Sequence, residues 1–150
     1  MAPKVKIYRI LDANANRARE GLRVVEEYLR LVLDNADFTA RLKTLRHRIT
    51  GAVSGMRLDE ELIASRESAG DVGAASSTVS ENNRNNFDHV VMANLRRSQE
   101  ALRVLEEYSK LLSATASSEF KRLRFETYSL ERDIRLYALR KPRKRRGKRI

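Results

Sequence analysis

The sequence predicts an all-α protein, a four-helix bundle of two duplicated helical hairpins related by a pseudo-twofold axis. Three observations carry this. Apolar residues recur at helical steps, and no stretch alternates as a strand would. A sixteen-residue motif is written twice, as ANANRAREGLRVVEEY over Ala13–Tyr28 and ANLRRSQEALRVLEEY over Ala93–Tyr108. Each copy opens the same layout of long helix, short turn and second helix.

The first helix is expected from Lys4 to about Asp34, with Ile7, Leu11, Ala18, Leu22, Val25, Leu29 and Val32 on one face and Pro3 in its first turn. At 1.5 Å per residue it would run about 45 Å. Asp34 to Asp37 break it, and Asp37 is the expected cap of a second helix carrying Phe38, Leu42, Leu45, Ile49 and Val53. Asp59 is read as the cap of a short extension, Glu60 to Arg66. Glu67 to Asn83 is rich in Gly, Ser and Asn, without a helical stripe, and reads as an irregular loop. A third helix is expected from Arg84 to Leu112, with Val90, Ala93, Leu102, Leu105 and Leu112 inward. A second break, Ser113 to Ser118, offers Thr115, Ser117 and Ser118 as caps. The last helix carries Phe120, Leu123, Leu130, Ile134 and Leu136 and stops before Pro142. Beyond Tyr108 the repeat is expected to continue with a one-residue shift, Leu42 answering Leu123, His47 answering Tyr128 and Ile49 answering Leu130.

The size suits one domain, read as residues 1–140 followed by a basic tail, 141–150. Of the net charge of +11, eight positive charges fall in the last eleven residues and three remain on the body. That distribution argues against a nucleic-acid partner and for a solvated tail. Without cysteine there is no disulfide framework, thiol nucleophile or thiolate metal site. No apolar run reaches the roughly 18 residues of a membrane span, and MAPKVKIYRI lacks a signal-peptide core, so a soluble cytoplasmic protein is expected.

Ten of the sixteen motif pairs are identical, and six of those are polar or charged. A repeat kept only for packing would let polar positions drift. On a helical wheel Asn14 falls within the apolar stripe, flanked by Arg17 and Glu20, with Gly21 leaving room for a close approach. Asn94, Arg97 and Glu100 repeat the set, with Ala101 in place of Gly21. These residues suit a paired polar site, or a structural Asn pair flanked by i,i+3 ion pairs. Arg23, Glu26, Glu27 and their copies read as a solvated, ion-paired face. The loop adds Arg66, Glu67 and Asp71, the last between Gly70 and Gly73. Neither GxxxxGK[ST] nor GxGxxG occurs. His47 and His89 read as isolated structural histidines, and no zinc spacing or Ser-His-acid set is present.

Taken together, ILDANANRAREGLRVVEEYLR, LRH at Leu45 to His47, SRESAGDVG and VMANLRRSQEALRVLEEYSK resemble the small all-helical hydroxymethylpyrimidine-phosphate kinase family. Such domains occur alone or fused to the N-terminus of thiamine-phosphate synthase. The resemblance covers Ile10 to about Tyr137. It implies ATP-dependent phosphorylation of hydroxymethylpyrimidine phosphate to the diphosphate in thiamine biosynthesis, with magnesium, and a synthase domain or a second copy of the chain as partner. Chemistry of that kind is mostly positioning and charge neutralisation. The residues at hand are Arg17, Arg97 and Arg66 for phosphates and Asn14 and Asn94 for a pyrimidine edge. Gly73 offers a backbone donor, and Glu20, Glu100 and Asp71 offer carboxylates, Asp71 and Glu20 being the candidates for magnesium. Two other readings compete: a non-catalytic ligand-binding or regulatory domain of thiamine-phosphate synthase, and an RNA-associated protein driven by the tail.

Overall fold

The computed structural model describes residues 3–141, so the expected tail, 141–150, lies outside the described residues but for Lys141. The described chain is helical: α1 (Pro3–Leu31), α2 (Ala36–Gly55), α3 (Asp59–Ala64), α4 (Val79–Asn82), α5 (Phe87–Ser109) and α6 (Ala114–Arg140). No strand occurs among the described residues. Helix α1 packs against α2 and α5, α5 against α6, and α2 against α6, closing a ring of four long helices, while α3 rests on α1. The most extensive contact joins α1 and α5, the two helices that carry the repeated motif.

The core follows the predicted stripes. Leu11, Ala18, Leu22, Val25 and Leu29 of α1 meet Leu95, Leu102 and Leu105 of α5, with Leu42, Ile49, Phe120 and Leu123 closing the other side. At the α1–α5 contact the backbones come close. A Cβ on Gly21 would stand 2.3 Å from Ser98 Oγ and 2.8 Å from the main-chain oxygen of Asn94. Ser98 Oγ donates instead to the Ala18 carbonyl at 3.0 Å.

Several boundaries differ from the sequence expectation for local reasons. The α2 cap is Asn35, whose side chain accepts from Phe38 N, because Asp34 turns the chain at φ 51° and Asp37 falls inside the first turn. Helix α3 begins at Asp59 behind Leu58, with no side-chain cap. The 67–83 loop contains one helical turn, α4, held by a capping box between Thr78 and Glu81. Helix α5 starts behind Asn86, which accepts from His89 N, and α6 starts behind Ser113 rather than at Thr115, Ser117 or Ser118. His47 and His89 are exposed and do not belong to the core.

The α2–α6 register also differs from expectation. Burial at Leu42, Leu45 and Ile49 recurs at Phe120, Leu123 and Thr127, an offset of 78 residues, and brings Lys43, Leu45 and Arg46 onto Lys121, Leu123 and Arg124. The linking segments are of equal length, 32–35 and 110–113; the offset falls from 80 to 78 because α5 ends and α6 begins two residues earlier relative to the motif than α1 and α2 do, where a one-residue lengthening was expected.

Candidate functional site

The two copies of the motif make parallel sets of contacts. Asn14 Nδ2 donates to Ile10 O at 2.9 Å, and Asn94 Nδ2 donates to Val90 O at 2.8 Å. Arg23 bonds Glu26 at 3.2 Å and Arg103 bonds Glu106 at 3.1 Å. A second arginine reaches each glutamate from the following long helix: Arg46 Nε to Glu26 at 2.9 Å, and Arg124 Nε to Glu106 at 2.9 Å. Glu26 and Glu106 are only 3% and 4% exposed, which corrects the expectation of a solvated face at these two positions. Their spacing from the apolar residues hid this, because a buried carboxylate is affordable only with a partner from another helix. These clamps are structural.

A cleft of about 750 Å3 opens on the α5 side of the α1–α5 contact. Asn94, Arg97 and Glu100 form one wall, Asn14 and Arg17 reach in from α1, and Gly73 lies on the loop side. Sequence reasoning missed Arg96, Ser76, Ser77, Glu81 and Arg84, which also line it. Arg96 is adjacent to a named site residue; the four loop positions follow no period that could have revealed them. A second cleft of about 490 Å3 adjoins it along α1, lined by Lys6, Arg9, Ala13, Asn14 and Arg17 with Asp71 opposite. Asn14 and Arg17 belong to both.

Arg17, Arg96 and Arg97 have no carboxylate within 4.0 Å among the described residues. Some arginines elsewhere are committed: Arg48 bonds Glu119 at 2.9 Å and Glu126 at 2.6 Å, beside the groove between α2 and α6. Unpaired guanidinium groups around a cleft favour an anion, and their fork geometry suits phosphate. Asn14 is 6% exposed, but its amide is satisfied within its own helix, so no ligand is needed to compensate it. The bond occupies Nδ2 and leaves Oδ1 to accept from a ligand.

Two predicted residues stand elsewhere. Arg66 makes a two-pronged bond to Asp12, 2.8 Å on each prong, which fastens the loop to α1 and takes Arg66 out of both clefts. Its guanidinium pKa is held above the ordinary value, first by the hydrogen bond to Asp12 and then by that carboxylate's charge. Glu20 is exposed and lines neither cleft, because the cleft wall leaves α1 after Arg17 while continuing down α5 to Val104. Asp71 accepts from Gly73 N at 2.9 Å, holding the loop's turn. Glu20 and Asp71 therefore do not line a common cleft, and among the described residues there is no group of three or more His, Asp or Glu side chains that could hold a metal ion. No described helix is long and apolar enough to cross a membrane.

A family model described as the ThiD2 family matches residues 9–133, which takes in both copies of the motif, both clefts and the loop between them. The chain belongs to the ThiD2 family. The chain is also 45% identical over 135 residues to a thiamine-phosphate synthase from Rhodopirellula baltica, covering 87% of this chain and 34% of that protein. Proteins of the same name from Nostoc punctiforme and Thermosynechococcus vestitus are 41% and 43% identical, with 85% and 89% of this chain and 35% and 37% of theirs covered. The chain thus spans about a third of the length of these relatives. No solved structure matches it.

Proposed function

We propose that this ThiD2-family chain acts in thiamine biosynthesis as a helical domain that binds a phosphorylated pyrimidine precursor, of the kind that accompanies thiamine-phosphate synthase. The observation that carries the reading is the group of unpaired arginines, Arg17, Arg96 and Arg97, around one cleft beside Asn14 and Asn94. The arginines would hold the phosphate, and the asparagine oxygens would accept from an exocyclic amine. The relatives' printed name supports the thiamine assignment, and their greater length supports a synthase domain as partner. The matching clamps Glu26–Arg46 and Glu106–Arg124 support a bundle of two related hairpins about a pseudo-twofold axis.

The sharper reading is a kinase that makes the pyrimidine diphosphate from ATP. The donor's terminal phosphoryl group would leave a nucleoside diphosphate behind and form a new phosphorus–oxygen bond to an oxygen of the acceptor's phosphate. That oxygen is already anionic, so the step needs cations that reduce repulsion between the two ligands rather than a general base. The arginines fit that need. Magnesium, which supplies charge neutralisation in such reactions, would arrive on the ligand's phosphates, with Asp71 the one carboxylate of the second cleft.

Calorimetric titration with hydroxymethylpyrimidine phosphate tests the binding reading. Binding should weaken at least about tenfold in Arg97→Ala, the scale of one charged hydrogen bond. Wild-type protein that does not bind the compound would refute it. Incubation with ATP and magnesium tests the kinase: diphosphate should form, and Arg17→Ala should slow it about 100-fold. Binding without turnover would leave the domain a non-catalytic module.

A further inference from the structure

The α1–α5 pair has an outer face, away from α2 and α6, that the core does not use. Steps of seven residues align Arg17, Val24 and Leu31 on α1, and Arg97, Val104 and Leu111 on α5, one stripe for each copy of the motif. Arg17, Arg97 and Val104 border the larger cleft, so both stripes lie on its side of the pair. Leu31 and Leu111 are 64% and 65% exposed. Phe87, whose ring touches that of Tyr28, is also exposed. The helices run antiparallel, since Ala18 meets Ser98 while Tyr28 meets Phe87. The face is therefore apolar at both ends and charged in the middle. That middle is left open in both signs. Arg23 bonds Glu26 and Arg103 bonds Glu106 across three residues. Arg17 and Glu20, and likewise Arg97 and Glu100, have the same spacing but make no ion pair among the described residues.

We propose that a second copy of the chain docks on this face, burying the leucine ends and setting Glu20 and Glu100 of each copy against the other's arginines. Exposed apolar patches beside polar groups mark interaction surfaces. A twofold interface needs one patch that is complementary to itself. Here apolar ends meet apolar ends and a centre of mixed charge meets its like, about either axis that lies in the face along or across the helices. Acid on base is also what lets such a centre be covered without stranding a charge. A synthase domain would have to present the same pattern twice, whereas another copy of this chain already does. Three open arginines, Arg17, Arg96 and Arg97, against two open glutamates leave the covered cleft cationic, so docking and an anion there are compatible. The inference goes beyond the ligand reading and does not depend on it.

Sedimentation velocity of the full chain at constant ionic strength is the test. Wild type should sediment as a dimer. Leu31→Glu with Leu111→Glu should raise the dissociation constant at least about tenfold, with the helical circular dichroism unchanged. Glu20→Arg with Glu100→Arg makes the centre basic, and Arg17→Glu with Arg97→Glu makes it largely acidic. Each of these double variants alone should sediment as a monomer, and an equimolar mixture of the two as a dimer. A wild type that stays monomeric up to about 100 µM overturns the proposal, and a face kept for a synthase domain gives that result. So does a dimer that the leucine substitutions leave intact, or charge variants that fail to associate on mixing. A monomer that still binds hydroxymethylpyrimidine phosphate keeps the functional reading and loses this one. A dimer that binds none does the reverse.

Discussion

Ser98 donates from Oγ to the main-chain oxygen of Ala18 at 3.0 Å, in the space that Gly21 leaves by having no side chain. The contact sets how closely α1 and α5 approach, and so where Asn14 and Asn94 stand relative to each other. Gly21→Ala would gain about 1 kcal/mol of helix propensity. The new Cβ would press on the Asn94 carbonyl at 2.8 Å, which is backbone and cannot swing aside. Overpacking of this kind costs about 1–3 kcal/mol and should win. The melting temperature of Gly21→Ala should fall by several degrees. Ser98→Ala in the same chain should recover only part of the loss.

The clamps on the buried glutamates predict an uneven response within one network. Arg124 is 13% exposed as a side chain and Arg103 is 54% exposed, though both bond Glu106. Removing Arg124 leaves a buried carboxylate without its inner partner, whereas losing Arg103 is largely made good by water. Urea denaturation should show Arg124→Ala destabilised by about 2–4 kcal/mol and Arg103→Ala by at most about 1.

Arg66→Ala should behave as a loop-anchor mutant rather than a ligand mutant. Its bond to Asp12, with that of Arg9 to the Glu67 carbonyl, ties the segment after α3 to α1. Limited proteolysis should cut within residues 67–86 faster than in the wild type, while pyrophosphate affinity in the larger cleft stays within about twofold. A large affinity loss at unchanged cleavage rate would return Arg66 to the site.

Tyr28 gives a prediction in pH. Its phenol is raised above 10.0, first by burial and then by the nearby charge of Asp88, while its ring lies 5.7 Å from that of Phe87. Because the folded pKa exceeds the unfolded one, the stabilisation is complete below about pH 10 and is lost as pH rises through the folded value. The tyrosinate absorbance of wild type minus Tyr28→Phe should therefore rise above pH 10. Asp88→Asn should bring it down part of the way.

Much of the fold was legible because α1 and α5 are strongly one-sided: Leu11, Ala18, Leu22 and Leu29 were placed inward from spacing alone, and they are buried. Asn14 and Arg17 were readable as a pair for the same reason. Turn chemistry was less legible. Asn35 displaces Asp37 as a cap because Asp34 adopts a left-handed conformation that no periodicity announces. Glu26 and Glu106 were misplaced because their arginine partners sit on other helices, at Arg46 and Arg124. The division of the site was not legible either, since it depends on where residues 70–77 cross the helices, and that path is set by the Arg66–Asp12 and Arg9–Glu67 bonds.

The Gly21–Ser98 contact also makes the two halves of the chain non-interchangeable. Ala18 and Gly21 occupy in the first motif the places that Ser98 and Ala101 occupy in the second. Two first halves brought together would set glycine against alanine and leave a gap without the hydroxyl. Two second halves would set alanine against serine and collide. A chain severed between α4 and α5 would be expected to reassemble from unlike fragments in preference to like ones, so the helix pair carries an instruction about partner choice inside a single polypeptide.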